Sequence, residues 1–244
     1  MKKSVSITCL LGAMMWGANC AAQAVVVANF AADFSTTSST SGSWQYGAAS
    51  SLGGTFYLDS ITTLYGPAGE VVAWSPTGTY WPTIGLNTGA AAVNFGGGNV
   101  VHLAPQQGLL HPGQNGEFAV ARLTVASTFT GKLDVEFVGI DDVSSTTDVH
   151  VLRNGVSLFS GLINGFGQMQ SFQATQAFQA GDVIDFAVGR GINNNFNDDS
   201  TGFKATLSTV TQAVPEPATS ALLWSGLLAI VPVIARRRKT SARG

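Results

Sequence analysis

The chain has 244 residues, a formal net charge of −2, and only 11% charged side chains. Its cations are concentrated at the two ends, so residues 25–214 hold five basic residues against thirteen acidic ones, a net charge near −8. Such a surface repels phosphates and argues against nucleic acid as a partner. The two cysteines, Cys9 and Cys20, both precede residue 25, which excludes thiol nucleophiles and disulfides from the rest of the chain.

At the N-terminus, Met1-Lys2-Lys3 supplies a positive region and residues 5–16 an apolar one, and Ala22-Gln23-Ala24 has the small-x-small pattern that signal peptidase cuts. Residues 1–24 therefore read as a signal peptide cleaved after Ala24. Both cysteines leave with it. The body, residues 25–214, must then be held by a hydrophobic core alone, and its length suits one domain.

The composition of the body points to β structure, because charges are sparse and short β-branched and aromatic runs are separated by Gly, Asn, Asp or Pro. The front third holds Trp44, Trp74, Trp81, Tyr46, Tyr57, Tyr65 and Tyr80. Residues 35–43 are a polar loop, strands are expected at 54–58 and 71–74, and Gly96-Gly97-Gly98 reads as a flexible connector and a candidate boundary. Further strands are expected at 100–103, 118–125, 171–174 and 203–209. Within 132–138, Leu133, Val135 and Phe137 take one face and Lys132, Asp134 and Glu136 the other. Within 182–188, Ile184, Phe186 and Val188 point inward and Asp185 outward. Asn154-Gly155 predicts a type I′ hairpin that pairs Arg153 with Val156, Leu152 with Ser157, Val151 with Leu158 and His150 with Phe159. Nine or ten such strands make two packed sheets, an all-β β-sandwich of jelly-roll type.

Few residues offer chemistry. None of the common nucleophile, zinc-protease, phosphate-loop or dinucleotide motifs is present, and His102, His111 and His150 match no metal-ligand spacing. Glu117 and Glu136 qualify as a glycosidase carboxylate pair by residue type only. Residues 193–201, Asn-Asn-Asn-Phe-Asn-Asp-Asp-Ser-Thr, crowd hard oxygen ligands together, and Asp141, Asp142, Asp198 and Asp199 are candidate ligands for calcium. The competing reading is a long turn in which Asn and Asp cap their own backbone. Trp44, Tyr46, Trp74, Tyr80 and Trp81 are candidates for stacking on sugar rings, against the alternative that they fill the core.

The C-terminal stretch is the most specific. Pro215-Glu216-Pro217 precedes residues 218–235, an uncharged run long enough to span about 27 Å as a helix, and Arg236, Arg237, Arg238 and Lys239 follow. The positive tail holds that end in the cytoplasm. This order, over residues 215–244, resembles the PEP-CTERM sorting signal of Gram-negative bacteria. The resemblance implies cutting near the motif by an exosortase, an integral-membrane cysteine protease, from an inner-membrane intermediate, with delivery to the cell surface or extracellular matrix alongside exopolysaccharide. Residues 180–202 also look like the closing strands of β-sandwich modules in bacterial polysaccharide-associated proteins, which implies a galactose-binding-like fold. The expectation is a non-catalytic exported protein that associates with extracellular polysaccharide or acts in adhesion, with a carboxylate-dependent hydrolase or lyase as the alternative.

Overall fold

Apolar side chains at every second position can be buried together only when sheets face each other. The computed structural model describes residues 24–77 and 82–210. Residues 1–23 of the expected signal peptide, Ala22 among them, the pair Tyr80 and Trp81, the Pro215-Glu216-Pro217 motif, the 218–235 run and the tail Arg236 to Lys239 lie outside the described residues.

β1 (Val26–Asn29) runs into a single helical turn, α1 (Phe30–Asp33), and then a hairpin of β2 (Thr40–Ser41) and β3 (Trp44–Ala49). β4 (Phe56–Leu58), β5 (Ile61–Tyr65), β6 (Val71–Ser75) and β7 (Thr83–Asn87) follow, and then a short ribbon of β8 (Val93–Phe95) and β9 (Val101–Leu103). The second half contributes β10 (Gly108–His111), β11 (Phe118–Thr124), β12 (Phe129–Gly139), β13 (Thr146–Arg153), β14 (Val156–Asn164), β15 (Met169–Phe178), β16 (Val183–Gly189) and β17 (Thr201–Thr209). These seventeen strands among the described residues exceed the nine or ten expected, because the front third, which lacks clean alternation, supplies eight of them.

One sheet runs β15-β12-β17-β10-β7-β6-β5, with β1 also on β17; the other runs β14-β13-β16-β11-β3-β2, with β4 also on β3. The chain is thus an all-β sandwich over residues Ala24–Val210, which form one compact unit. No helix among the described residues is long and apolar enough to cross a membrane.

Aromatic rings fill the space between the sheets. Phe203 of one sheet lies 4.8 Å from Phe30, 5.4 Å from Phe137 and 5.3 Å from Phe186 of the other sheet. Trp44 and Trp74 belong to this core, at 1% and 6% exposure, and are not free to stack on sugar. Their polar edges are satisfied from within: Trp44 Nε1 donates to Asp33 Oδ2 at 3.2 Å and Trp74 Nε1 to the Ser35 carbonyl at 2.8 Å. Tyr46, fully buried, accepts from the Ser35 amide at 3.2 Å. Large rings with a partnered polar tip stabilise a core more than they would a wet surface. The low-complexity stretch beginning at Ser35 therefore supplies hydrogen bonds to the core.

The alternation holds where it was clearest. Leu133 and Phe137 are fully buried with Val135 at 4%, and Ile184, Phe186 and Val188 are fully buried. Asp185 does face away from the core, yet it is only 7% exposed. Arg122 Nε and Nη2 grip its carboxylate at 2.7 and 2.9 Å, and the guanidinium lies 4.1 Å from the Phe56 ring. A second small apolar cluster of Ala49, Val120, Leu152 and Ala187 forms beside it.

The hairpin turns at Asn154 (φ 52°) and Gly155 (φ 77°), as a type I′ turn requires. Arg153 pairs with Val156 and Leu152 with Ser157, but a bulge at Leu158 then shifts the register, so Val151 meets Phe159 and His150 meets Ser160. A one-residue bulge is invisible in a pattern that already alternates imperfectly. Gly96-Gly97-Gly98 is likewise not a boundary. It forms the tip of the β8–β9 ribbon, which is sewn to the end of β12 by a Val101–Asp141 bridge and by the His102 amide donating to the Ile140 carbonyl at 2.8 Å.

The two ends of the body meet, since the Thr209 amide donates to the Val25 carbonyl at 2.8 Å. At the other end of β17, Thr201 pairs with Gly139 on β12, two residues before Asp141.

Replacing Phe203 by Ala should lower unfolding stability by about 3–5 kcal/mol in urea titrations, since its cavity opens between both sheets. Asp59 carries a different prediction. It is 2% exposed with no hydrogen-bond partner for either carboxylate oxygen, and burial pushes its pKa up to about 8. The folded state therefore holds this proton more tightly than the unfolded chain. Stability linked to it is full below the unfolded value near 3.8 and is lost as pH climbs to about 8. Asp59→Asn should raise the melting temperature at pH 8 by at least about 5 °C and leave it unchanged near pH 3.5.

Candidate functional site

The β8–β9 ribbon is too short to bury its own side chains, so it leans on neighbours. Val93, Val101 and Leu103 pack with Val71, Leu109 and Ile140 into a small separate core. Phe95, at the end of β8, stacks on Tyr65 from β5 with centroids 5.4 Å apart and planes 19° apart. Beyond Phe95, Gly96 has φ 129°, and a Cβ there would meet the Asn99 carbonyl at 2.2 Å. The ribbon tip thus curls back as a wall.

The opposite wall is the loop between β16 and β17. Asn193 Oδ1 accepts from the Asn195 amide at 3.1 Å and Asn195 Oδ1 from the Asn197 amide at 3.2 Å. Asn194 and Asp198 take left-handed backbone with φ 56° and 59°, which short polar side chains tolerate. The reading of this stretch as a self-capped turn describes its geometry. It carries Phe196 to an edge-on contact with His111, centroids 6.2 Å apart.

Between the walls lies a cleft of about 610 Å³, well inside the roughly 300–1,000 Å³ usual for small-ligand sites. Tyr65, Phe95 and Phe196 line it as rings, Asn99 and Asn197 as amides, and Asp141, Asp198 and Ser200 as oxygen-bearing groups. Aromatic faces with a few converging polar groups suit a ligand that has both an apolar face and many hydroxyls.

Its electrostatics are one-sided. Asp141 is 3% exposed and accepts from the Ser200 amide. Burial pushes its pKa up to about 6 against the pull of that amide and the Ser200 side chain, with the charges of Asp198 and Asp142 adding to the rise. Behind it, Asp199 is fully buried and neither carboxylate oxygen has a close, well-aligned hydrogen bond, the Thr146 backbone making only a weak contact. Burial first, then the charges of Asp141, Asp198 and Asp148, push its pKa up to about 8, opposed only by the Thr146 backbone. His111 moves the other way: burial holds it below the usual imidazole range, against the Pro112 carbonyl, 2.8 Å from Nδ1, and the charge of Asp198.

The sequence-based candidates are therefore partly assembled. Asp141 and Asp198 share the cleft, Asp199 sits behind it, and Asp142 turns aside to accept from the Val100 amide at 2.8 Å. Among the described residues no three acidic, histidine or cysteine side chains gather as a group able to hold a metal ion. Glu117 accepts from the Asn115 amide and side chain at 2.9 and 3.0 Å in the turn before β11. Glu136 pairs with Lys204 at 3.1 Å on the other sheet, so the two glutamates are held by separate partners. The histidines are dispersed: His150 bonds Ser160 and Asp148 at 2.9 and 2.8 Å, and His102 bonds Asn94 at 3.0 Å. Tyr65, Phe95, His111 and Asn99 are not among the sequence-based candidates for this cleft, whereas Phe196 falls in the 193–201 stretch that is. The one available signal was a glycine triplet flanked by Phe95 and Asn99, read instead as a connector.

No family model matches the sequence, and no curated protein does. Among solved structures, the chain is similar to the family 51 carbohydrate-binding module from Clostridium perfringens solved with methyl-galactose, at 13% identity over 61% of this chain and 100% of that one, TM-score 0.35. It is similar to a family 29 carbohydrate-binding module at 15% identity over 49% and 79%, TM-score 0.29. A family 35 module from Clostridium thermocellum matches at 10% identity over 60% and 98%, TM-score 0.28. Likenesses of that size leave the functional reading to the chain's own geometry.

Carboxyl NMR should show Asp141 titrating with a midpoint near 6. Asp198→Asn removes one of the charges that raise it, so the midpoint should fall while staying above 3.8, because burial persists.

Proposed function

We propose that this chain is an exported, non-catalytic surface or extracellular-matrix protein whose cleft binds a glycan. The observation that carries the reading is the stacked Tyr65–Phe95 pair lining a cleft together with the Asn99 and Asn197 amides and the Asp141 and Asp198 carboxylates. The C–H face of a pyranose packs on such rings while its hydroxyls take up the polar groups. Strand succession supports a sandwich of jelly-roll type, because β12 and β13, then β14 and β15, alternate between sheets.

Export rests on the sequence. Ala22 and Ala24 mark the signal-peptidase site, and Pro215, Glu216 and Pro217 with the Arg236 to Lys239 tail mark an exosortase substrate held briefly in the inner membrane. The body would then reach the extracellular polysaccharide of a Gram-negative cell. A second reading, a carboxylate-dependent polysaccharide hydrolase or lyase, draws on one observation: Asp141 is poised near 6 beside Asp198, in the range of a general acid.

A glycan-binding screen of the mature protein, run beside a reducing-sugar release assay, separates the two. Binding without turnover is expected, with Phe95→Ala or Tyr65→Ala weakening it about tenfold or more. Turnover abolished by Asp141→Asn would establish the enzyme instead. The mass of the protein recovered outside the cell should correspond to a start at Val25 and an end near Pro215; an untrimmed precursor in the cytosol would overturn the export assignment.

A further inference from the structure

The charges around the cleft do not balance. Asp141 and Asp198 line it, Asp199 lies behind them and holds its proton up to about pH 8, and no lysine or arginine is among the lining residues. The body has five basic side chains, and all are engaged elsewhere. Arg122, Lys132, Arg153 and Lys204 each sit against a carboxylate, and Arg190 donates to the Gln114 carbonyl at 3.1 Å. The nearby imidazole of His111 is disfavoured as a counter-charge, since burial pushes its pKa down. Asp199 is relieved by keeping its proton, and the ionised carboxylates that line the cleft, with no cation of the chain beside them, favour a cation from outside.

The form of that cation is constrained. A metal ion is held most firmly by several charged ligands at short range, and no three His, Cys, Asp or Glu side chains gather so among the described residues. Asp141 already accepts from the Ser200 amide and Asp142 from the Val100 amide. An ammonium group asks for less: three N–H donors in flexible directions, and a favourable place near aromatic faces. A sugar ring bearing one would set its apolar face on Tyr65 and Phe95 and its charge toward the carboxylates.

We propose that the cleft selects a cationic glycan, an amino sugar with a free ammonium group such as glucosamine within a de-N-acetylated polysaccharide. The inference rests on the glycan reading above and names the ligand class for the same cleft. Acetylation would remove the charge and add bulk, so the acetylated form of the same polymer is discriminated against. Attraction between an acidic cleft and a polycation also makes binding weaken as salt rises.

The test is calorimetric titration of the full chain in mild detergent at pH 6 with four probes: a glucosamine hexamer, an N-acetylglucosamine hexamer, cellohexaose, and calcium chloride alone. The glucosamine hexamer should bind at least tenfold tighter than either neutral hexamer. Its affinity should fall several-fold between low and physiological salt. Asp198→Asn should reduce the preference at least fivefold; the salt dependence of the unmodified chain tests the same charge without any substitution. Equal affinity for neutral and cationic hexamers would overturn this inference and leave the glycan reading standing. No binding of any hexamer would overturn both. Saturable calcium binding that competes with the glucosamine hexamer would overturn the inference by showing that a metal fills the charge deficit.

Discussion

The structure depends on a single contact region, where Phe203 meets Phe30, Phe137 and Phe186 between the sheets. With no covalent cross-link after residue 25, cohesion has to come from burial. The chain concentrates that burial in rings. Phe30 reaches the site because α1 is a single turn capped by Asn29, whose Oδ1 accepts from the Ala32 amide at 3.0 Å. Trp44 and Tyr46 complete it from β3, each with its polar tip tied to residues 33–35. The N-terminal residues of the body are thus part of the core's hydrogen bonding as well as its packing.

This division of labour sets what is left for binding. Trp44, Tyr46 and Trp74 are taken up by the core, so the cleft uses a second set: Tyr65 on the edge strand β5, Phe95 on the β8–β9 ribbon and Phe196 on the β16–β17 loop. Loops carried on a rigid scaffold can change without disturbing it. The buried carboxylates of Asp141 and Asp199 represent the opposite choice, because they cost stability where a neutral side chain would not. Unfavourable groups of this kind concentrate at functional sites.

Legibility in the sequence followed the physics of each element. Strands with clean period-two alternation, such as residues 132–138, could be read because one face was buried and the other wet. Asn154-Gly155 could be read because its backbone demands those residues. In the front third only β6 and part of β4 could be read, at 71–74 and 54–58; β3 and β7 could not, since they are buried almost throughout and lose the alternation that marks a strand. Trp44 and Trp74 were ambiguous for the same reason, as residue type alone does not distinguish a core ring from a binding one. For the cleft, Asp141 and Asp198 stood out as hard oxygen donors, but their companions are set by long-range pairing. Asp141 reaches Val101 forty residues upstream and Ser200 well downstream, and no local pattern encodes such a meeting.

The pairing of Thr209 with Val25 puts both ends of the body at one pole of β17, while Thr201 and the cleft lie at the other. Nine residues of extended strand separate the two poles, about 27 Å. An attachment made through either chain end therefore works like a stalk, holding the mouth outward and clear of whatever the molecule is rooted in. If the cleft takes a glycan as proposed, a polymer would reach it without colliding with such an attachment.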